Sequence, residues 1–99
     1  MTLPDGATLS FARLDDGSWP MLSASSVAAD GAVTVVLTAA NLKGLAGTEA
    51  RLVAADTPPA SLDDWSVSFV ASGATARLAL RDDGVWVEFA GKGTAVIVR

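Results

Sequence analysis

The last third of the sequence, residues 65–99, contains three turn signals that agree on one strand register. Ser72-Gly73, Asp83-Gly84 and Lys92-Gly93 each match a two-residue hairpin loop, because glycine accepts the positive φ that such loops need. Side chains alternate with a period of two, so a slip of one residue would invert a whole strand. When residues are paired outward from each loop, all three loops place the same residues on one face. The agreement predicts a four-stranded antiparallel meander with one apolar and one solvated face.

This register assigns roles to the two tryptophans of the region. Trp65 pairs with Leu80 in the apolar core, whereas Trp86 lies on the outer face between Arg81 and Arg99, in a cation–π arrangement. Across the Asp83-Gly84 loop, the register pairs Leu80 with Val87 and Leu78 with Phe89. The full apolar face comprises Trp65, Val67, Phe69, Ala76, Leu78, Leu80, Val87, Phe89, Val96 and Val98.

A second meander of three strands is predicted for residues 7–14, 19–28 and 32–38. Asp16-Gly17 and Asp30-Gly31 supply its turns, and the first of these sets Phe11 opposite Leu22. Residues 39–48 are either a loop or one helical turn, and residues 49–55 read as a further strand. Thr57-Pro58-Pro59 cannot sit inside a central ladder, which predicts a crossing between layers.

Two antiparallel meanders, each with one apolar face, predict an all-β fold in which the meanders pack as a β-sandwich. A small, partly closed β-barrel is the alternative. The length of 99 residues gives room for one domain. We therefore expect an N-terminal arm over residues 1–6 and a single β-sandwich domain over residues 7–99.

One internal similarity links the two halves of the chain. Residues 7–19 align without a gap to residues 74–86, and both segments contain the pattern Asp-Asp-Gly-x-Trp. The pattern indicates either recurrent hairpin chemistry or a duplicated hairpin. A single pair of copies is too few to predict a solenoid or a propeller.

The composition argues against most catalytic and metal chemistry. The chain has no His, Cys or Tyr, so triads built on His and zinc sites are excluded. The paired aspartates at 15–16, 63–64 and 82–83 fit turn and cap chemistry better than a glycosidase-like pair. We expect a protein that is not an enzyme and that uses no metal or cofactor.

Charge and hydropathy narrow the partners. A net charge of −4, with seven Lys and Arg in total, argues against nucleic-acid and anionic membrane binding. No apolar run approaches the ~18 residues of a membrane span, and the first residues lack the features of a signal peptide. These features favour a cytoplasmic protein unless the chain belongs to a virion.

The outward apolar residues of the N-terminal hairpin are the strongest functional signal. The predicted register places Trp19 beside Leu14 and Met21 on the outer face, and such clusters are enriched in interface cores. They predict a non-enzymatic structural or interaction module that docks on a larger protein assembly or associates with itself. In composition the chain resembles the small, Cys-free β proteins of tailed phages and prophages. That resemblance implies a capsid decoration, head-tail or tail component.

Carbohydrate binding is the alternative function. Trp19 or Trp86 would be the stacking platform, and neighbouring Arg81 and Arg99 would donate hydrogen bonds. This alternative requires a tryptophan ring that is open to solvent.

Overall fold

The computed structural model describes residues 1–40, 43–69 and 74–91, and within those ranges the chain is all-β, with no helix. The strands are β1 (Thr2–Leu3), β2 (Ala7–Ala12), β3 (Leu22–Ser26), β4 (Ala28–Ala29), β5 (Val33–Thr38), β6 (Glu49–Thr57), β7 (Trp65–Phe69), β8 (Ala74–Arg81) and β9 (Gly84–Gly91). They form three sheets, which do not close into a barrel.

The chain passes through these three sheets in the same order twice. Strands β1, β2 and β3 form a first coil, residues 1–26, and β4, β5 and β6 form a second coil, residues 27–57. Each strand of the second coil pairs in parallel with its counterpart in the first. Parallel strands need a long connection, which the rest of the coil supplies. The winding resembles two turns of a parallel β-solenoid.

The last three strands extend two of the sheets beyond the second coil. Strand β7 adds in parallel to β5, giving the order β2-β5-β7. Strand β9 adds antiparallel to β6, and β8 pairs with β9 as a hairpin, giving the order β3-β6-β9-β8. Strand β5 is central in its sheet, and its β-branched run is typical of a buried parallel strand. Val33, Val35 and Leu37 are fully buried.

The predicted antiparallel N-terminal meander is wrong, although its strands lie close to the predicted positions. Phe11 lies opposite Leu37 in a parallel ladder, and not opposite Leu22. The Asp16-Gly17 turn does form, with Gly17 at φ 90°. It closes only a local loop, because the chain then leaves for another sheet.

The second predicted turn, Asp30-Gly31, is not a hairpin loop. Gly31 does not have the positive φ that such a loop needs. The carboxylate of Asp5 accepts a hydrogen bond of 2.8 Å from the backbone N–H of Ala32, so this bend is held by the N-terminal segment. The Asp30-Gly31 signal is therefore no evidence that the strands on either side of it pair with each other.

The predicted hairpin of β8 and β9 is present, with a register that differs by two residues. Leu80 lies opposite Val85, and Arg81 lies opposite Gly84. Gly84 is the first residue of β9, and it must be glycine because a Cβ there would lie 1.8 Å from the carbonyl oxygen of Val53 on β6. A shift of two keeps the faces, so Val87 and Leu78 stay on the same side.

The predicted pairing of Trp65 with Leu80 is wrong, and Leu80 is exposed instead of lying in the core. Trp65 does pack, partly buried, against the core, but in the sheet of β5, opposite Val33. The predicted turn at Ser72-Gly73 and the predicted strand with Val96, Ile97 and Val98 lie outside the described residues.

Residues 1–6 are held against the sheets. The buried Leu3 lies in β1, and the amino group of Met1 donates a hydrogen bond of 2.7 Å to the carbonyl of Ser26. The backbone N–H of Gly6 bonds the carbonyl of Ala32 at 2.8 Å.

The remaining segments close the core. Residues 43–47 form turns, with Leu45 buried. Strand β6 ends at Thr57 and the next strand, β7, lies in a different sheet, which confirms the predicted crossing. The buried apolar residues are Leu3, Phe11, Val27, Val33, Val35, Leu37, Leu45, Leu52, Val53, Ala55, Val85, Val87 and Phe89.

Candidate interaction surface

The first coil carries a set of exposed apolar side chains. Leu14 is 51% exposed, Met21 46% and Leu22 40%, and Met1 is exposed as well. Outside this coil, Leu80 is the one other large apolar residue that the described part of the chain exposes. Folding therefore leaves apolar surface concentrated at one end of the stacked strands, and such concentration is a feature of interaction sites.

A groove of about 300 Å³ lies beside Met21 and Leu22. One side is formed by four consecutive residues of β2, from Thr8 to Phe11, and the other by Pro20, Met21 and Leu22. Consecutive residues point to opposite faces of a strand, so a groove that touches all four runs along the backbone edge. Because β5 covers the other edge of β2, the groove lies along the edge that no other described strand pairs.

Trp19 does not belong to this exposed surface, contrary to the predicted outward position. Its ring is partly buried and stacks on Phe89 of β9, with centroids 5.4 Å apart and planes 14° from parallel. Phe69 contacts Phe89 edge-on at 5.5 Å. The prediction failed because it rested on a hairpin register between β2 and β3 that the chain does not adopt. Of the three predicted interface residues, Leu14 and Met21 are exposed, whereas Trp19 is partly buried.

Trp86 lies on the outer face of the four-stranded sheet, where its polar contacts come from its own chain. The guanidinium carbon of Arg81 lies 4.4 Å from the ring centroid and that of Arg51 lies 6.0 Å away. The indole N–H donates a hydrogen bond of 2.8 Å to Asp83. Arg99, the predicted second neighbour, lies outside the described residues. Arg51 was missed because it is on β6, and no turn signal in the sequence indicates that β6 pairs with β9.

Arg81 reaches across β9 to the carboxylate of Glu49 on β6. Two hydrogen bonds of 2.6 and 3.0 Å join them in a bidentate pair. The same guanidinium lies 3.1 Å from Glu88, which also bonds Arg77 at 2.5 Å. We call this set the charged face; it consists of Glu49, Arg51, Arg77, Arg81, Asp83, Trp86 and Glu88.

The ionisation of the charged face follows from these bonds. The hydrogen bond from Arg81 lowers the pKa of Glu49, and hydrogen bonds from Arg77 and then Arg81 lower that of Glu88. The indole of Trp86, followed by Arg51, lowers the pKa of Asp83. Glu49 and then Glu88 raise the pKa of Arg81 above its usual range. All these shifts favour the charged forms, because each charge has a partner of the opposite sign.

The aspartate pairs serve local structure where their contacts are seen. Asp16 accepts hydrogen bonds from the backbone N–H and the hydroxyl of Ser18, which lower its pKa. In the described ranges, no group of three or more acidic side chains is arranged to hold a metal ion. Those ranges likewise contain no helix of the length and hydrophobicity that crossing a membrane requires.

The two surfaces therefore differ in what they offer. The charged face pairs its own groups with one another, whereas the first coil presents an apolar surface and an unpaired strand edge. Comparison of the chain with protein-family models, with curated proteins and with solved structures finds no match. A functional assignment therefore rests on the structure and composition of the chain itself.

Proposed function

We propose that this chain is a non-enzymatic structural module that docks on a protein assembly through the first coil. The observation that carries the proposal is the exposure of Leu14, Met21 and Leu22 in the first coil, the last two of which line the groove along β2. Burying exposed apolar surface is the general driving force for protein association, at roughly 25 cal/mol per Å². A polar partner surface would gain nothing from these residues.

We further propose that the scaffold behind this surface is sandwich-like. Side chains from both larger sheets contribute to one core, and Phe69 of β7 contacts Phe89 of β9. A layered body of this kind would hold the first coil rigid, which reduces the entropy lost on docking. The composition suggests a phage or prophage virion as the particular assembly, and that part of the proposal rests on composition alone.

Carbohydrate binding ranks below this proposal. One face of the partly buried Trp19 ring is occupied by its stack on Phe89, and a sugar that stacked on the Trp86 ring would compete with Arg81 at 4.4 Å. Docking through the first coil requires no rearrangement of internal contacts.

Site-specific photo-crosslinking tests the docking surface. A photoreactive amino acid at Met21 should form protein cross-links when the producing cells are irradiated. The matched control is the same amino acid at Leu80, which is exposed to a similar degree but lies on β8. Cross-links at position 21 and not at position 80 are expected. Equal yields at the two positions, or no product at position 21, would refute docking through the first coil.

A further inference from the structure

The sequence contains four Asp-Gly steps, and each lies at a turn or bend of the chain. They are Asp5-Gly6, Asp16-Gly17, Asp30-Gly31 and Asp83-Gly84. At such a step the peptide nitrogen of glycine can attack the carboxyl group of the preceding aspartate, because glycine has no Cβ to hinder the approach. The attack closes a succinimide ring, so the four steps can be compared by what holds the two reacting groups.

Three of the four aspartates have carboxylates that accept hydrogen bonds. The donors are the backbone N–H of Ala32 for Asp5, the N–H and hydroxyl of Ser18 for Asp16, and the side chains of Arg51 and Trp86 for Asp83. Such bonds stabilise the ionised carboxylate, whereas ring closure consumes the protonated acid. These three carboxyl groups are therefore protected.

The glycine nitrogens of the same three steps are held as well. The N–H of Gly6 bonds the carbonyl of Ala32 at 2.8 Å, and that of Gly17 bonds the carbonyl of Leu14 at 2.9 Å. Gly84 lies within β9, which has β6 on one side and β8 on the other. A nitrogen in a bonded turn or a central strand is fixed in place, so it cannot turn towards the side chain before it.

The Asp30-Gly31 step differs from the other three in both respects. In the described part of the chain, neither the Asp30 carboxylate nor the Gly31 N–H has a hydrogen-bond partner. The step lies in the bend between β4 and β5, and Asp30 is exposed to solvent. Water, which opens the ring in the second stage of the reaction, can therefore reach it.

Packing of the N-terminal segment requires glycine at position 31. A Cβ there would collide with the carboxylate of Asp5, which holds the N–H of Ala32. Gly31 does not have a positive φ, so space, and not backbone conformation, excludes a larger residue. The contact that fixes residues 1–6 thus leaves an unhindered Asp-Gly step in the chain.

We propose that Asp30-Gly31 is a site of spontaneous modification, at which Asp30 becomes isoaspartate through a succinimide. The nitrogen of Gly31 bonds to Cγ of the protonated Asp30 side chain, and the hydroxyl of that carboxyl group leaves as water with the proton of the peptide nitrogen. A second water then adds to either ring carbonyl. Addition at the side-chain carbonyl restores aspartate, whereas addition at the main-chain carbonyl breaks the original peptide bond and leaves the chain running through Cβ. The reaction requires no oxidant, reductant or enzyme, and it is independent of docking through the first coil.

The product lengthens the main chain between two fixed points. The N–H of Asp30 bonds the carbonyl of Leu3 at 2.8 Å, and the N–H of Ala32 bonds Asp5 at 2.8 Å. An added carbon between these points displaces at least one of the two bonds. Both acceptors lie in residues 1–6, so modification loosens the N-terminal segment.

Peptide mapping of aged protein tests the site. The folded parent is incubated at neutral pH, and electron-transfer fragmentation, which distinguishes isoaspartate from aspartate, measures the rate of isoaspartate formation at each of the four steps. The same measurement in denaturant gives the rate of each step without folded structure, and the ratio of the two rates is the protection that folding gives. The matched control is Asp30→Glu, which keeps the charge at position 30 but closes its larger ring far more slowly.

We expect isoaspartate to form in the folded parent at residue 30 first, with the other three steps protected severalfold more. Asp30→Glu should remove that product and leave the other three rates unchanged. Protection at Asp30 as strong as that at Asp5, Asp16 and Asp83 would overturn the proposal. A folded parent that forms no isoaspartate at residue 30 would overturn it as well.

The effect on the N-terminal segment is measured on the same sample. Amide hydrogen exchange at Ala32 should be faster in the isoaspartate form than in the unmodified protein. Unchanged exchange at Ala32 would overturn the coupling of the modification to the N-terminal segment.

Discussion

The turns at residues 15–19 and 82–86 share the pattern Asp-Asp-Gly-x-Trp, yet they lie in opposite environments. After Gly84 the chain runs back along β8, and Trp86 lies on the outer, charged face. After Gly17 the chain leaves for another sheet, and Trp19 packs, partly buried, against the core and stacks on Phe89. The turn residues fix the local bend, whereas the strands that follow decide where the tryptophan lies.

This difference has a consequence for the surface. The second turn belongs to a hairpin whose outer side chains pair with one another across three strands, β6, β9 and β8. The first turn belongs to the coil at the end of the stack, whose outer strands have, among the described strands, a neighbour on one side only. The matched positions of the two turns allow the contrast to be tested residue by residue.

The largest expected difference separates the two tryptophans. Trp19→Ala removes a ring packed on the aromatic core and should lower the free energy of unfolding by about 3 kcal/mol. Trp86→Ala removes a ring on the surface and should cost clearly less, because water can occupy its place. Denaturant unfolding of dilute protein, followed by circular dichroism, measures both. Equal losses would contradict the assignment of Trp19 to the core.

The second largest difference in stability is expected between alanine variants of the two turn glycines, Gly17 and Gly84. Both have a positive φ, 90° at Gly17 and 144° at Gly84, so either alanine variant is strained. A Cβ at Gly17 would meet only the guanidinium end of the Arg13 side chain, whereas at Gly84 it would meet the backbone of Val53. We expect Gly17→Ala to cost about 1 kcal/mol and Gly84→Ala more than about 2 kcal/mol.

The same unfolding experiment gives the comparison directly. A smaller loss for Gly84→Ala than for Gly17→Ala would show that β9 does not approach β6 as closely as described.

The smallest effects on stability are expected from the two turn aspartates, Asp16 and Asp83. Hydrogen bonds from Ser18 lower the pKa of Asp16, and those from Trp86 and Arg51 lower that of Asp83. The unfolded chain therefore binds more protons just below the ordinary value of 3.8. The stability that each aspartate gains from its hydrogen bonds is fully present above that pH. It is lost as the pH falls through the lower pKa of the folded state.

Nuclear magnetic resonance can follow each aspartate through its partner. The indole N–H of Trp86 should report a midpoint below 3.8 for Asp83, and the amide of Ser18 should do so for Asp16. Asp83→Asn should abolish the first titration and leave the second unchanged. An indole signal that titrates at or above 3.8 would mean that Asp83 gains no stabilisation from Trp86.

Strand positions could be predicted from the sequence because the signals are local. Alternating side chains and glycine turns place the hairpin of β8 and β9, and with it the contact of Trp86 with Arg81. The two-residue register error arose because the approach of Gly84 to Val53 involves a strand more than twenty residues away.

Pairing partners in the first half could not be predicted, for a physical reason. A parallel ladder has no turn between its strands, so nothing near Phe11 indicates that Leu37 is its neighbour. The one usable signal was the β-branched run of β5, which is typical of a central parallel strand. Without parallel pairing, Trp19 could not be placed in the core, nor could the open edge of β2 be found.

The central claim is that the first coil presents, at Thr8 and Ser10 of β2, a strand edge that no other described strand pairs. Amide hydrogen exchange, measured in dilute protein, tests it most directly. Alternate residues of β2 bond its parallel neighbour β5, and the N–H of Arg13 is one of those that do. The account therefore predicts that the amides of Leu9 and Phe11 are protected, whereas those of Thr8 and Ser10 exchange rapidly. Protection of Thr8 and Ser10 in dilute protein would contradict the open edge.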